Sequence, residues 1–260
     1  MTEHSGGAGA ILWQNWQQRT RIDQLPLDCR PADRAAGYSA QKEIVRFSGQ
    51  NVVGWKIAAT SPAGQKHIGV DGPLAGPLLA SRVLGDGAAV PLDGNIMMVA
   101  EAEFAFKFAR ALPTRANPYT QDEVLEAVES LHPAIEVPDS RYDNFASVGA
   151  PQLIADTACA DWFVLGAPTA ADWRSRDLAA HVVTAFRNGE QAATGSGANV
   201  LGDPRIALTW LVNELRTYAD GIAAGQFVTT GTCVIPVPIQ RGDKIRVDFG
   251  EFGTAGVTLT

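Results

Sequence analysis

The run Met97-Met98-Val99-Ala100-Glu101-Ala102-Glu103-Phe104-Ala105-Phe106-Lys107-Phe108 restricts the possible folds of this chain more than any other segment. At period two, Met98, Ala100, Ala102, Phe104, Phe106 and Phe108 share one face, and Glu101, Glu103, Ala105 and Lys107 the other. The segment therefore predicts a strand whose apolar side needs a hydrophobic layer against it. Its other side carries two carboxylates that project the same way and repel each other. Two readings fit the pair: a divalent cation beside them, or the solvent-facing polar edge of a half-exposed antiparallel strand.

A third acid tips the balance towards the cation. Glu136 sits in Ala134-Ile135-Glu136-Val137, a charge inside an otherwise buried-looking strand. Between the two strands, Thr120-Gln121-Asp122-Glu123 has the capping-box pattern that opens a helix. Val124, Leu125, Val128 and Leu131 would form that helix's apolar face, and His132-Pro133 would close it. The order strand, helix, strand is that of a crossover able to set the second strand beside the first, with Glu136 joining Glu101 and Glu103 around one ion. Carboxylates without Cys or His favour a hard ion, Mg²⁺ or Mn²⁺, over zinc.

Ile11 to Arg19 and Arg34 to Phe47 read as helices, so residues 1–50 form a helical N-terminal segment and residues 51–260 a catalytic domain. Val52 to Ala58 reads as a strand, with Thr60-Ser61-Pro62 opening a helix through Ile68. Asp71 to Pro91, rich in Gly and Pro, is expected to be loop and turn, and Asp139 to Gln152 irregular. Further strands are expected at Trp162 to Leu165, around the Asn188-Gly189 hairpin and over the last forty residues. A helix is expected from Asp203-Pro204 to near Gly221. Mixed strands with few, separated helices predict an α+β fold around a curved, barrel-like sheet. No GxGxxG follows a strand, there is no P-loop, and Gly195-Ser196-Gly197 lacks nucleophile-elbow spacing.

Composition narrows the partners. With 260 residues, 46% of them apolar, the chain can bury a full core. A net charge of −7 and no Lys/Arg cluster argue against nucleic acid and anionic membranes. The chain has no run of about 18 apolar residues and no signal-peptide pattern at Met1-Thr2-Glu3-His4-Ser5-Gly6-Gly7, so a cytoplasmic protein is expected. Cys29, Cys159 and Cys233, odd in number and far apart, indicate neither disulfides nor a thiolate metal site.

Gly54-Trp55-Lys56-Ile57, Gly69-Val70-Asp71, Glu101-Ala102-Glu103, Pro133 to Val137, Asp156-Thr157-Ala158, Leu201 to Pro204 and Thr229-Thr230-Gly231 occur in a telling order. In these motifs, from about residue 8 to the C-terminus, the chain resembles the 2-keto-4-pentenoate hydratase and 4-oxalocrotonate decarboxylase family of the fumarylacetoacetate hydrolase superfamily. The resemblance implies the superfamily's mixed-β catalytic fold, Mg²⁺ or Mn²⁺ on Glu101, Glu103 and Glu136, and a symmetric homo-oligomer. It implies action on 2-oxo and 2-hydroxydienoic acids of meta-cleavage aromatic catabolism, with the ion as Lewis acid towards the substrate's carboxylate and 2-oxygen.

Lys56 falls where that family carries an active-site lysine. Asp156 is a candidate to orient Lys56 or a water, or else a loop Asp capping backbone amides. Ser196, Thr230 and Gly231 match pocket-lining segments, with ordinary turn chemistry the other reading. Arg141 and Arg82 are candidate carboxylate forks, while His67 and His132 read as structural. One departure stands out: Pro73-Leu74-Ala75-Gly76 places Leu74 where hydratases of the family carry an Asp.

The resemblance therefore implies a hydratase making 4-hydroxy-2-oxo acids. A 4-oxalocrotonate-type decarboxylase and an acylpyruvate-like C–C hydrolase are the alternatives. A noncatalytic subunit assembling with an active enzyme is the reading from another class.

Overall fold

A computed structural model describes residues 7–260; the first six residues, on which the reading of no leader segment rests, lie outside the described residues. Helices α1 (Ala8–Gln18) and α2 (Arg34–Ser48) lead the chain. The Asp33 side chain accepts from Ala36 N at 2.8 Å to start α2, and Gly49 ends it at φ +62°. Then come β1 (Val52–Ala58), α3 (Pro62–Ile68), β2 (Leu74–Leu79), β3 (Val83–Gly85), β4 (Ala89–Val90) and β5 (Val99–Phe108). Next are α4 (Gln121–Ala127), β6 (Val128–Val137), α5 (Ala150–Ala155) and β7 (Trp162–Leu165). The hairpin β8 (Val182–Arg187) and β9 (Glu190–Ser196) precedes α6 (Pro204–Tyr218). Strands β10 (Phe227–Thr232), β11 (Val237–Pro238), β12 (Lys244–Asp248) and β13 (Thr254–Leu259) complete the chain.

The main sheet runs β2-β1-β10-β5-β6-β7-β3, with β11 pairing the start of β5. The pairs β1/β10 and β3/β7 are parallel and the others antiparallel, and the sheet curls into a half-barrel. This is the α+β, curved mixed-sheet architecture that the strand pattern predicts. A second sheet, β4-β13-β12-β8-β9, packs against it and was not separable in the sequence. Phe104 of β5 joins the two: its ring meets Phe249 edge-on at 4.8 Å between centroids and contacts Phe252 and His181.

Four expectations change. The helix opened by the Thr120–Glu123 capping box stops at Ala127, and Val128, Leu131, His132 and Pro133 belong to the ten-residue strand β6. Pro133 is tolerated because β6 pairs with β7 only from Ala134 onward. The chain returns antiparallel beside β5, not through a crossover, which still makes the two strands neighbours. Within the Gly/Pro-rich stretch, Leu74–Leu79 is a fully buried strand, and Pro77 sits there because β2 is the edge of its sheet. The irregular stretch after Asp139 ends in α5.

No described helix is long and apolar enough to cross a membrane. Replacing Phe104, which is 0% exposed, by Ala should cost about 3–5 kcal/mol by separating the two sheets' shared packing. Urea unfolding should therefore show a large drop in midpoint with little change in slope.

Candidate metal centre

Strand register assembles the acids. Glu101 lies directly opposite Glu136 across the β5/β6 pair, and Glu103 opposite Ala134, so all three carboxylates leave the same face of the sheet. One oxygen from each lies within 4.8 Å of the others. Glu103 and Glu136 are fully buried, and Glu101 stays partly accessible at the mouth of the cluster.

Lys56 comes from β1, three strand steps from β6, which is about 14 Å in a flat sheet and beyond the combined reach of the two side chains. Its Nζ nevertheless lies 3.1 Å from Glu136 Oε1, because the sheet curls around this face. The same ammonium donates to the Ala158 carbonyl oxygen at 2.9 Å.

The intervening strand β10 supplies the donors that fix Glu103. Its pairing with β5 slips between Thr229↔Ala105 and Thr232↔Glu103. That bulge lets the Thr229 hydroxyl and the Gly231 N–H, the latter at 2.9 Å, both donate to Glu103 Oε2. Gly231 has φ +97°, and an added Cβ would stand 2.2 Å from Thr60 Oγ1, so no other residue fits there.

With Oε2 held, Glu103 Oε1 has no hydrogen-bond partner; Glu136 Oε2 has none either, and Glu136 Oε1 faces only the Lys56 ammonium. An acceptor left so costs about 1–3 kcal/mol or more when charged. Burial, then the neighbouring Glu136 and Glu101, pushes the Glu103 carboxyl well above the usual range. Burial likewise raises Glu136 to about 7, and Glu101 is raised. Burial would lower the Lys56 ammonium's pKa, but Glu136 and Glu101 outweigh it and hold it cationic. Ionised together, the three carboxylates facing one ammonium would leave an excess of two negative charges. Convergent, oxygen-only donors of that charge, with Glu103 Oε1 and Glu136 Oε2 unpartnered, fit a hard divalent cation.

Other candidates fall elsewhere. Asp156 does not bond Lys56: its oxygens are taken by the Ser140 hydroxyl at 2.8 Å, the Arg141 backbone N–H at 3.0 Å and the Arg141 Nε. Arg141, 1% exposed, spends the rest of its guanidinium on the carbonyls of Asp139, Ala160 and Asp156 and on Thr157 Oγ1, so it cannot also clamp a substrate carboxylate. Arg82 pairs with Asp161 and covers the Trp162 ring. His132 is held between Ser130 and the Gly166 carbonyl, and His67 is exposed.

The Thr230 hydroxyl turns away to the Phe104 carbonyl at 3.1 Å, and its neighbour Thr229 faces the acids instead. Period-two alternation forbids both threonines from facing the acids. Choosing between them needs the bulge, which the sequence does not display. Ser196 ends β9, and none of the hydrogen bonds among the described residues joins it to the acids. Leu74 pairs with Ala58, two places from the Lys56/Gly76 pair, and so projects to the same face as Lys56.

The family model described as fumarylacetoacetate (FAA) hydrolase C-terminal matches residues 73–260. A 2-keto-4-pentenoate hydratase of Burkholderia vietnamiensis is 33% identical over 89% of this chain and 88% of its own. A 4-oxalocrotonate decarboxylase of Pseudomonas sp. (strain CF600) is 34% identical over 83% of this chain and 81% of its own. Among solved structures, 4-oxalocrotonate decarboxylase from Pseudomonas putida G7, complexed with magnesium and adipate, superposes with a TM-score of 0.87 at 29% identity, covering 97% of this chain and 96% of that one.

Two outcomes follow from the geometry. Thr229→Val, nearly isosteric, leaves Glu103 Oε2 held by the Gly231 N–H alone and should weaken Mg²⁺ binding about tenfold, read as a smaller Mg²⁺-induced rise in Tm. Without metal, a Glu136 carboxyl whose folded pKa is about 7 binds more protons folded than unfolded below that pH, so its contribution to stability falls as pH rises towards 7. Glu136→Gln should therefore gain stability relative to the parent between about pH 5 and 8 in EDTA, by urea unfolding. His132, whose neutral form burial favours, titrates in both proteins and cancels from the difference, while Glu103, which Glu136 helps to push up, is relieved by the same substitution and moves the difference in the same direction.

Proposed function

The chain belongs to the fumarylacetoacetate hydrolase family, and from that premise we propose that it is a divalent-metal-dependent lyase. Its substrates are 2-hydroxypenta-2,4-dienoate-like, 2-oxo-enoic acids of meta-cleavage aromatic catabolism, and water addition gives 4-hydroxy-2-oxo acids. The observation that carries this reading is the convergence of Glu101, Glu103 and Glu136, with buried Glu103 Oε1 and Glu136 Oε2 unpartnered and Lys56 paired to the other oxygen of Glu136.

In this reading Glu101, Glu103 and Glu136 hold Mg²⁺ or Mn²⁺, which supplies Lewis acidity towards the carboxylate and 2-oxygen of the acid. Lys56 holds a positive charge at a fixed place, because the Ala158 carbonyl and Glu136 restrain its Nζ from two sides. That charge stabilises the negative charge that grows on the substrate during proton transfer, and the N–H bonds of Nζ make it a proton donor. Ketonisation moves the 2-hydroxyl proton to carbon 5, and water then adds across carbons 3 and 4 with its oxygen at carbon 4. Thr229 and the Gly231 N–H hold Glu103, while Leu74 and Ser196 are assigned to the pocket wall. Thr230 and Asp156 support backbone and not substrate.

A specific observation favours a second reading. Leu74, apolar and fully buried on the face of Lys56, offers no group to deliver water. Decarboxylation of a 2-oxo-3-enedioate needs the same electron sink but no positioned water. The solved decarboxylase with magnesium and the diacid adipate supports the same alternative. A noncatalytic subunit would have no use for all three acids, which are present.

The proposal extends to a homo-oligomer in the cytoplasm, with residues 51–260 as catalytic domain and, of the N-terminal segment 1–50, the described helices α1 and α2 as its cover. Exposed Ile235 and Val182 support a subunit contact.

A ¹H NMR time course with Mg²⁺ tests the assignment on 2-hydroxypenta-2,4-dienoate and on 2-oxohex-3-enedioate. Formation of a 4-hydroxy-2-oxo acid from the dienoate is expected; CO₂ release from the diacid alone would establish the second reading, and inertness towards both would sink the lyase assignment. Glu103→Gln should lose turnover by at least about a hundredfold together with the Mg²⁺-induced rise in Tm.

A further inference from the structure

Lys56 is anchored by a carbonyl that belongs to an unusual turn. Thr157, Ala158 and Cys159 all have left-handed backbone, at φ +54°, +50° and +62°. None is glycine, and a β-branched residue such as Thr157 is a clear outlier there. Backbone bonds from Cys159 N to the Asp156 carbonyl and from Asp139 N to the Cys159 carbonyl, each at 3.0 Å, close the turn, and one side chain braces it further. Arg141 donates from Nε to the Asp156 carboxylate, from Nη2 to the Asp156 carbonyl and to Thr157 Oγ1 at 2.9 Å, and from Nη1 to the Ala160 carbonyl at 3.0 Å. It thus grips the residue before the turn, the first residue within it and the residue after it.

From the other side, Gly76, the register partner of Lys56, admits the turn: an added Cβ would lie 1.8 Å from the Thr157 carbonyl oxygen. The product of this construction is one buried acceptor, Ala158 O, placed on Lys56 Nζ opposite Glu136.

We propose that Arg141 and Asp156 are positioning residues for Lys56, acting through the left-handed turn 157–159 whose Ala158 carbonyl aims the ammonium at the acid cluster. This rests on the assignment of Lys56 made above, and it gives the buried pair a role distinct from substrate binding. Strained backbone persists where surrounding structure over-determines it, and here the restraints on Asp156, Thr157 and Ala160 bracket Ala158, whose carbonyl holds Lys56. The pair touches no member of the acid cluster directly, so metal binding and lysine placement should separate on substitution.

The test uses Arg141→Lys, which keeps the charge but cannot reproduce the fork, and Thr157→Val, which removes one of its contacts at constant shape. In ¹⁵N-lysine-labelled protein, the Lys56 ammonium signal, identified by its loss in Lys56→Ala, should shift or exchange away in both variants. On the dienoate or diacid found active, kcat should fall at least about tenfold in Arg141→Lys and severalfold in Thr157→Val, with KM and the Mg²⁺-induced rise in Tm near those of the parent. A merely structural role would lower Tm and leave the Lys56 signal and kcat in place, and that result in Thr157→Val overturns the proposal even if Arg141→Lys does not fold. So would a parallel loss of the Mg²⁺ response. Full activity in Lys56→Ala would instead remove the parent reading of Lys56, while the NMR arm still decides what holds the ammonium.

Discussion

Burying three carboxylates against a single ammonium is the constraint that organises this molecule. Each charge taken from water costs several kcal/mol after relaxation, and like charges directly opposite on paired strands repel, as Glu101 and Glu136 must. Compensation has to come from elsewhere in the sheet. It comes from β10, whose bulge places one hydroxyl and one backbone N–H on Glu103, and from β1, whose lysine reaches Glu136 only because the sheet is curled. The half-barrel is thus not simply a scaffold on which a site sits. Its curvature is what lets a residue three strands away neutralise part of the cluster.

A second buried ion network lies close by and is built on the opposite principle. Arg141 and Asp156 leave no donor or acceptor of the pair idle, and the Trp16 ring, 4.3 Å from the guanidinium carbon, covers the arginine from α1. Three successive left-handed residues cost roughly 1–2 kcal/mol each, which a lone surface turn would not retain. A saturated arginine can retain it, since breaking a buried pair leaves an uncompensated charge worth about 3–5 kcal/mol. The helical N-terminal segment contributes to this network, so its Trp16 is part of what keeps the strained turn in place.

The strand carrying Glu101 and Glu103 was legible because period-two alternation is a local property of twelve residues. Glu136 was legible for a similar reason, as a charge set within an apolar run. What the helix signal at Thr120 concealed was its end: Val128 and Leu131 suit a helix face and a strand equally, and only pairing with Phe108 and Phe106 decides. Leu74 to Leu79 was hidden by Gly76 and Pro77, turn residues that an edge strand tolerates, of which Gly76 here makes room for the Thr157 carbonyl. Thr229 and the true partner of Asp156 were beyond reach. A bulge and a left-handed turn are set by tertiary contacts, and neither Thr229-Thr230 nor Asp156-Thr157-Ala158 bears a local mark of either.

Leu74 acquires a physical sense from the same charge balance. With all three acids ionised around one divalent ion, the inner face would carry two negative charges in excess, the amount that ion neutralises, and an acid at the place of Leu74 would add a further buried charge. A leucine keeps the balance and makes the β1/β2 wall dry. Any water that reacts in the hydration reading must then approach where the cluster is still accessible, past Glu101, and not from the wall that Leu74 closes. Such a one-sided supply gives the two candidate reactions different needs: decarboxylation gains from a dry wall, while hydration depends on the Glu101 mouth remaining wet with substrate in place.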